Sequence, residues 1–204
     1  MMNIMNKFIV IEGLDGSGKS TVTRLLAERF TTHNMSNYIT FEPTKNPIGE
    51  LMRSILSGKI KNIENEAIAL LFAADRYQHL KSEILPALEH SHVICDRYYY
   101  SSMAYQGIDV ETLERVIDYN QAVMPIRKPD IVFFINVTPD ECFRRVKQRG
   151  EAISIFEELA ELELRYARYL AAIERMKKTD NIVVVGSNAD SPNSVVNQIW
   201  SYLK

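Results

Sequence analysis

Residues 8–21 read FIVIEGLDGSGKST, and this stretch decides the fold. A short β-branched run ends at Gly13, and residues 13–20, GLDGSGKS, fit the spacing G-x-x-x-x-G-K-[ST] with no mismatch. STVTRLLAERF, residues 20–30, then has helical spacing. A strand before the loop and a helix after it are the context this motif needs. Gly13, Gly16 and Gly18 let the backbone turn so that successive N–H groups face inward at phosphate oxygens. The helix beginning near Lys19 points its positive dipole end at the same place. Lys19 is expected to reach the β- and γ-phosphates and the Ser20 hydroxyl to ligate Mg²⁺. Asp15, Ser17 and Thr21 complete the loop's share of a nucleoside triphosphate site.

Moving outward, strand-like and helix-like segments alternate. SNYITFEP (36–43) reads as a strand stopped by Pro43, and IGELMRSILSG (48–58) as a short helix. Residues 64–90 carry a long helical pattern with a bend or restart expected near Pro86. HVICD (92–96) is a strand. DVETLERVIDYNQAV (109–123) is a helix with Asp109 as N-cap. DIVFFINV (130–137) is a strong strand, and TPDECFRRVKQRG (138–150) starts a helix with Thr138 as cap and Pro139 in the first turn. Residues 154–178 are helical, NIVVVG (181–186) is the last strand, and SPNSVVNQIWSYL (191–203) closes as a helix. Five apolar strands separated by helices predict an α/β fold: a three-layer, P-loop NTPase-type arrangement with a five-stranded parallel sheet flanked by helices. The 204 residues are read as one domain, 1–204.

The charge balance narrows the partners. A net charge of −2 gives no global basic field for nucleic acid or an anionic membrane, so a polyanionic ligand must be small and held by local charges. No apolar run reaches the roughly 18 residues of a membrane span. Residues 1–10 lack a long apolar core followed by a small-residue cleavage site, so no signal peptide is expected. Cys95 and Cys142 form no metal or redox motif and are expected as two reduced thiols in a cytoplasmic protein.

In an open parallel sheet the ligand lies beyond the carboxyl ends of the strands. The residues just after each strand therefore carry the chemistry: 13–21, 42–47, 96–106, 138–140 and 186–189. No DxxG follows a later strand and no N/T-KxD motif is present, which disfavours a GTP switch. HVICD supplies Asp96 where a Walker B acid would sit, but Arg97 follows at once. An arginine there fits a second anion, an acceptor that itself carries phosphate.

FIVIEGLDGSGKST, FEP, LMRSIL, LLFAADRYQH, DRYYYSSMAYQG, KPDIVFFINVTPDE, RRVKQRG and RYL follow one another in this order. Together they resemble the thymidylate kinases, nucleoside monophosphate kinases that move the γ-phosphate of ATP to dTMP in dTTP synthesis. The resemblance runs from Phe8 to the C-terminal helix. It implies Mg²⁺, a homodimer paired through helices, and a mobile lid at about residues 144–157. It also implies roles on the acceptor side. Asp15 takes the sugar 3′-hydroxyl, Phe72 stacks on thymine, and Arg76 hydrogen-bonds the base. Arg97 and Arg53 attend the acceptor phosphate, and Asp96 lies near the metal. Ser102 and Gln106 contact the base, and Tyr105 crowds the 2′ position. Glu42 falls in a loop near the acceptor, and Asn188 and Ala189 in one that packs on adenine. Tyr98, Tyr99 and Tyr100 receive no role beyond packing or surface.

One departure stands out. The family places a catalytic arginine either in the P-loop, where this chain has Gly16, or in the lid; here no Arg or Lys occurs from residue 150 to residue 164. The basic run just before, Arg144, Arg145, Lys147 and Arg149, is the expected substitute, with Arg145 or Arg149 supplying charge on the ATP side and Arg149 in the catalytic set with Lys19, Asp96 and Arg97. Two other classes stay open from sequence: a deoxynucleoside kinase, and an ATP-binding module that has lost turnover.

Overall fold

The computed structural model describes residues 6–122, 127–148 and 159–204. Among these, five strands form one sheet: β1 (Phe8–Glu12), β2 (Asn37–Phe41), β3 (His92–Asp96), β4 (Ile131–Ile135) and β5 (Ile182–Val185). The order is β2-β3-β1-β4-β5, with every pair parallel. Val10 of β1 lies opposite Cys95 on one side and Val132 on the other. The chain thus winds to one side of β1 and then to the other, and the crevice where it reverses opens above the carboxyl end of β1. The phosphate loop stands there.

β1 and β4 are buried at every position, which is why FIVIE and IVFFI read as unbroken rather than alternating patterns. Burying a side chain such as Phe8, Ile9 or Phe133 contributes about 1.5–3 kcal/mol each, and the rings and branched chains of these two strands form the centre of the core.

The helices are α1 (Lys19–Thr32), α2 (Pro47–Leu56), α3 (Asn65–His79), α4 (Leu85–Leu88), α5 (Tyr99–Gln106), α6 (Val110–Tyr119), α7 (Pro139–Gln148), α8 (Leu159–Met176) and α9 (Pro192–Ser201). The bend expected near Pro86 is a π-helical turn, Leu80–Ile84, between α3 and α4. Proline has no N–H to donate and its ring presses on the carbonyl one turn back; a widened turn accommodates both. Asp109 caps α6 in a reciprocal box: its carboxylate accepts from Thr112 N at 2.8 Å, and its own N–H donates to Thr112 Oγ1 at 3.0 Å. Thr138 sends its side chain elsewhere, to Asn188 after β5.

α5 is the element that pattern reading left as an unassigned cluster of tyrosines. Tyr98, Tyr99 and Tyr100 are fully buried, their rings packed in series at 4.9 and 4.5 Å. The hydroxyls of Tyr99 and Tyr100 both donate to Asp180, which also receives Lys128 Nζ at 2.7 Å. Burial alone would raise the Asp180 carboxyl, but Lys128 and the two phenols hold it below the usual carboxylate range. These tyrosines are therefore packing residues that pin α5 to the loop before β5. Cys95 and Cys142 are both free and buried, and burial pushes the Cys142 thiol up to about 12.

Candidate active site

Gly18 takes φ +96° as the residue before α1, and Gly16 takes φ +85°. At Gly16 a β-carbon would stand 2.4 Å from the Cys142 carbonyl oxygen of α7. No side chain fits there without moving α7, so this loop cannot carry an arginine at that position. Lys19, 6% exposed, donates to the Leu14 carbonyl at 2.8 Å and lies 3.8 Å from Asp15. Burial and the nearby Arg97 charge lower its pKa, with Asp15, Asp96 and Glu12 opposing.

Ser20 Oγ donates to Asp96 Oδ2 at 2.7 Å, so the first turn of α1 and the end of β3 bring two hard oxygen ligands together. The other Asp96 oxygen is buried without a hydrogen-bond partner. No group of three or more His, Cys, Asp or Glu able to hold a metal exists among the described residues. That donor set suits Mg²⁺, which takes one or two protein oxygens and completes its shell from phosphates and water.

Arg97 follows Asp96 with φ +73°, a left-handed backbone that costs a non-glycine residue on the order of 1 kcal/mol. Its guanidinium pairs with Asp15, donates to Ser101 Oγ at 3.1 Å and lies 5.3 Å from the Tyr105 ring centroid. Tyr105 in turn donates to Asp15 at 2.7 Å. Burial would raise the Asp15 carboxyl. The charges of Arg97 and Lys19, the Tyr105 hydroxyl and the charge of Arg165 hold it well below the usual range instead.

Two cavities meet at this point. One, about 520 Å³, is lined by Asp15, Gly16, Gly18, Lys19, Ser20, Thr21, Asp96 and Arg97, with Glu42 at its edge. The other, about 890 Å³, is lined by Asp15, Glu42, Phe72, Arg76, Arg97, Tyr105 and Gln106, together with Arg165 and Arg168 of α8. Asp15, Glu42 and Arg97 belong to both. In the second cavity Phe72 offers a ring. Gln106 Oε1 is buried with no hydrogen-bond partner, a polar atom suited to a ligand's donor.

Arg76 is held from three sides. Nε and Nη2 reach Glu42 Oε2 at 2.8 and 2.7 Å, Nη1 donates to Asn120 Oδ1 at 2.6 Å, and Nη2 donates to Ser102 Oγ at 3.1 Å. Glu42 also accepts from His79 Nδ1 at 3.1 Å. Glu42 and Ser102 thus orient Arg76. Arg53 donates to the Pro43 carbonyl at 2.8 Å and lines neither cavity. Gly13 and Ser17 are buried beneath the loop. Arg145 also lines neither cavity; it pairs with Glu141 at 2.6 Å and donates to the Asn188 carbonyl at 3.3 Å, tying α7 to the loop after β5. Arg149 and residues 149–157 of the lid expected at about 144–157 lie outside the described residues, while residues 144–148 belong to α7.

Residue-by-residue reading missed several participants. Glu12, buried at the end of β1, accepts from Tyr98 N at 2.7 Å, Ser101 N at 3.2 Å, Ser101 Oγ at 2.8 Å and Tyr169 O–H at 3.0 Å. α5 has no side-chain cap of its own; Glu12, at the end of β1, accepts instead from the N–H of Tyr98, which precedes the helix, and of Ser101 in its first turn. The signal was an acid closing an otherwise apolar strand. Asn120 and Arg165 were also missed.

A phosphate loop at the switch point of this sheet, with a second cavity sharing its floor, defines a P-loop phosphotransferase of the nucleoside monophosphate kinase type. The thymidylate kinase family model matches residues 11–199, and the chain belongs to that family. It is 39% identical over 202 residues to the probable thymidylate kinase of Methanocaldococcus jannaschii, covering 98% of this chain and 96% of the relative. It is 38% identical over 200 residues to that of Pyrococcus horikoshii, covering 93% of each. To that of Thermococcus kodakarensis it is 43% identical over 181 residues, covering 83% of this chain and 87% of the relative. Neither the deoxynucleoside kinase nor the impaired module is favoured by these matches.

Proposed function

We propose that the protein transfers the γ-phosphate of ATP to dTMP, giving ADP and dTDP. The observation that carries this reading is the sharing of Asp15 and Arg97 between the two cavities, which sets a donor site and an acceptor site end to end. A phosphate oxygen of dTMP attacks the γ-phosphorus in line, the bond to the β-phosphate oxygen breaks, and ADP leaves. Little covalent chemistry falls to the protein, so its task is alignment and neutralisation of two polyanions.

Each site residue takes a part in this transfer. The P-loop glycines, Ser17 and Thr21 cradle the ATP phosphates, and Lys19 meets the β- and γ-phosphates. Ser20 and Asp96 hold Mg²⁺, which supplies charge neutralisation on the donor phosphates when bound. Arg97 takes the acceptor phosphate through its planar fork. Phe72, Arg76 and Gln106 receive thymine, while Glu42 and Ser102 fix Arg76. Asp15 and Tyr105 face the sugar, and Arg53 braces the loop at Pro43. Arg145 and Arg149 serve the donor side. The whole chain acts as one kinase domain with a lid at about 144–157. On this reading the protein works as a cytoplasmic homodimer on these small substrates, without nucleic acid or membrane.

A coupled ADP-release assay with dTMP, dUMP, thymidine and other monophosphates tests the reading. Turnover with dTMP, and none with thymidine, is expected. Activity with thymidine but not dTMP would replace the reading by a nucleoside kinase, and no turnover despite ATP binding would replace it by a binding module.

A further inference from the structure

α8 buries one stripe: Leu162, Arg165, Tyr169, Ala172 and Met176. Four of these are apolar or aromatic and one is an arginine. Arg165 is 2% exposed, yet it lines the acceptor cavity. Its guanidinium carbon lies 4.5 Å from the centroid of the Tyr105 ring, the ring that Arg97 also approaches, at 5.3 Å. Its Nε is 3.3 Å from Glu161, which is one-third exposed. A cation placed in a core stripe is costly to desolvate, and an apolar residue at position 165 would pack the same stripe without that cost. The arginine is explained by what it faces. The cavity wall beside it already holds the paired Arg97, and a phosphate entering there brings up to two negative charges into that cavity.

We propose that Arg165 is a catalytic residue that contacts the acceptor phosphate, working with Arg97 as the second arm of a two-arginine clamp. The charge that neither the P-loop at Gly16 nor residues 150–164 supply then comes from α8, on the acceptor side. The proposal rests on the kinase reading above. It adds that the acceptor monophosphate is recognised by two forks across one tyrosine ring. Arg97 is paired with the P-loop carboxylate Asp15 and Arg165 with Glu161, so each fork can turn from its carboxylate to the phosphate.

Calorimetric binding of dTMP and of thymidine to wild type, Arg165→Met and Arg165→Lys tests this without requiring turnover. In Arg165→Met, dTMP is expected to bind about 30-fold more weakly, the order for a lost charge-assisted hydrogen bond to a phosphate, with thymidine binding within about twofold of wild type, as expected when the uncharged nucleoside's contacts are untouched. Arg165→Lys keeps the charge but loses the fork, so it should recover part of the dTMP affinity. That variant also keeps the proposal testable if the methionine protein does not fold. Equal weakening of dTMP and thymidine would assign Arg165 a purely structural role and overturn the proposal, as would unchanged dTMP binding. A wild-type protein that binds neither ligand would instead overturn the kinase reading, so the two failures are distinguishable.

Discussion

The guanidinium of Arg97 and the carboxylate of Asp15 are ion-paired across the junction of the two cavities. Arg97 sits on a strained left-handed backbone just past β3, and Asp15 sits inside the phosphate loop. The arginine is therefore held at the boundary between the two cavities.

Arg97→Ala is expected to damage acceptor use far more than ATP binding. Loss of a bidentate phosphate contact should lower kcat/KM for dTMP by about 100-fold or more, while the dissociation constant for ATP changes by less than about threefold. Initial rates over dTMP concentration, with separate titration of a non-hydrolysable ATP analogue, measure both. A larger effect on the ATP side would move Arg97 out of the acceptor site.

Lys19 is buried, and its pKa is lowered mainly by that burial. Lys19→Met removes the cation proposed to meet the donor phosphates but relieves the cost of burying it. Phosphoryl transfer should fall by about 1,000-fold or more, while the melting temperature stays within a few degrees of wild type or rises. A variant that transfers phosphate at near wild-type rate would remove the phosphate-loop assignment.

The layers of the fold were legible because each local signal agreed with its neighbours. β-branched runs ended in turn residues, and the phosphate motif lay between a strand and a helix. α5 was not legible, since its three tyrosines show no helical alternation and its cap, Glu12, comes from 86 residues away. Arg165 was hidden in ELAELELRYARYL, a segment whose pattern reads only as helical scaffold with ordinary i,i+4 charge pairs. Its place on the stripe through Leu162 and Tyr169 was the available clue, because an arginine on a core face needs an anion or a ring. Asn120 gave no signal at all. It is an interior amide fixed by Val116 on one side and Arg76 on the other, and no local pattern encodes that pair.

Asp180 gives the pH test. Its side chain is 2% exposed and accepts from Tyr99, Tyr100 and Lys128, so its folded pKa lies below its unfolded value. The stability it contributes is present above the unfolded value, about 4, and is lost as pH falls through the lower folded value. Asp180→Asn should lower stability at pH 7 by about 2 kcal/mol, the order for a charged hydrogen-bond partner, or roughly 4–8 °C in melting temperature. Below about pH 4 the gap between the two proteins should narrow. Thermal melts of both from pH 3 to pH 7, a range chosen to span the carboxylate's titration, check this; a gap independent of pH would show that the negative charge contributes nothing.

Glu12 joins three parts of the site through one carboxylate: the strand that ends at the phosphate loop, the first turn of α5, and Tyr169 of α8. Glu12→Ala would leave the Tyr98 N–H buried without an acceptor, while Ser101 N–H keeps the Tyr98 carbonyl at 3.1 Å, at a cost of about 2 kcal/mol, or roughly 4–8 °C in melting temperature. Glu12→Gln is expected to cost much less, because one amide oxygen can still accept from both N–H groups and the Ser101 and Tyr169 hydroxyls can rotate to accept from the amide. Function should separate from stability in the same pair of proteins. Tyr98 N is the first group past Arg97, so any shift of α5 carries Arg97 with it. KM for dTMP is therefore expected to rise in Glu12→Ala at a temperature where the protein remains folded, with the ATP dissociation constant little changed. Melting curves paired with dTMP kinetics give both readings. A variant that melts early yet keeps the wild-type KM would limit Glu12 to holding the fold, with no part in placing Arg97.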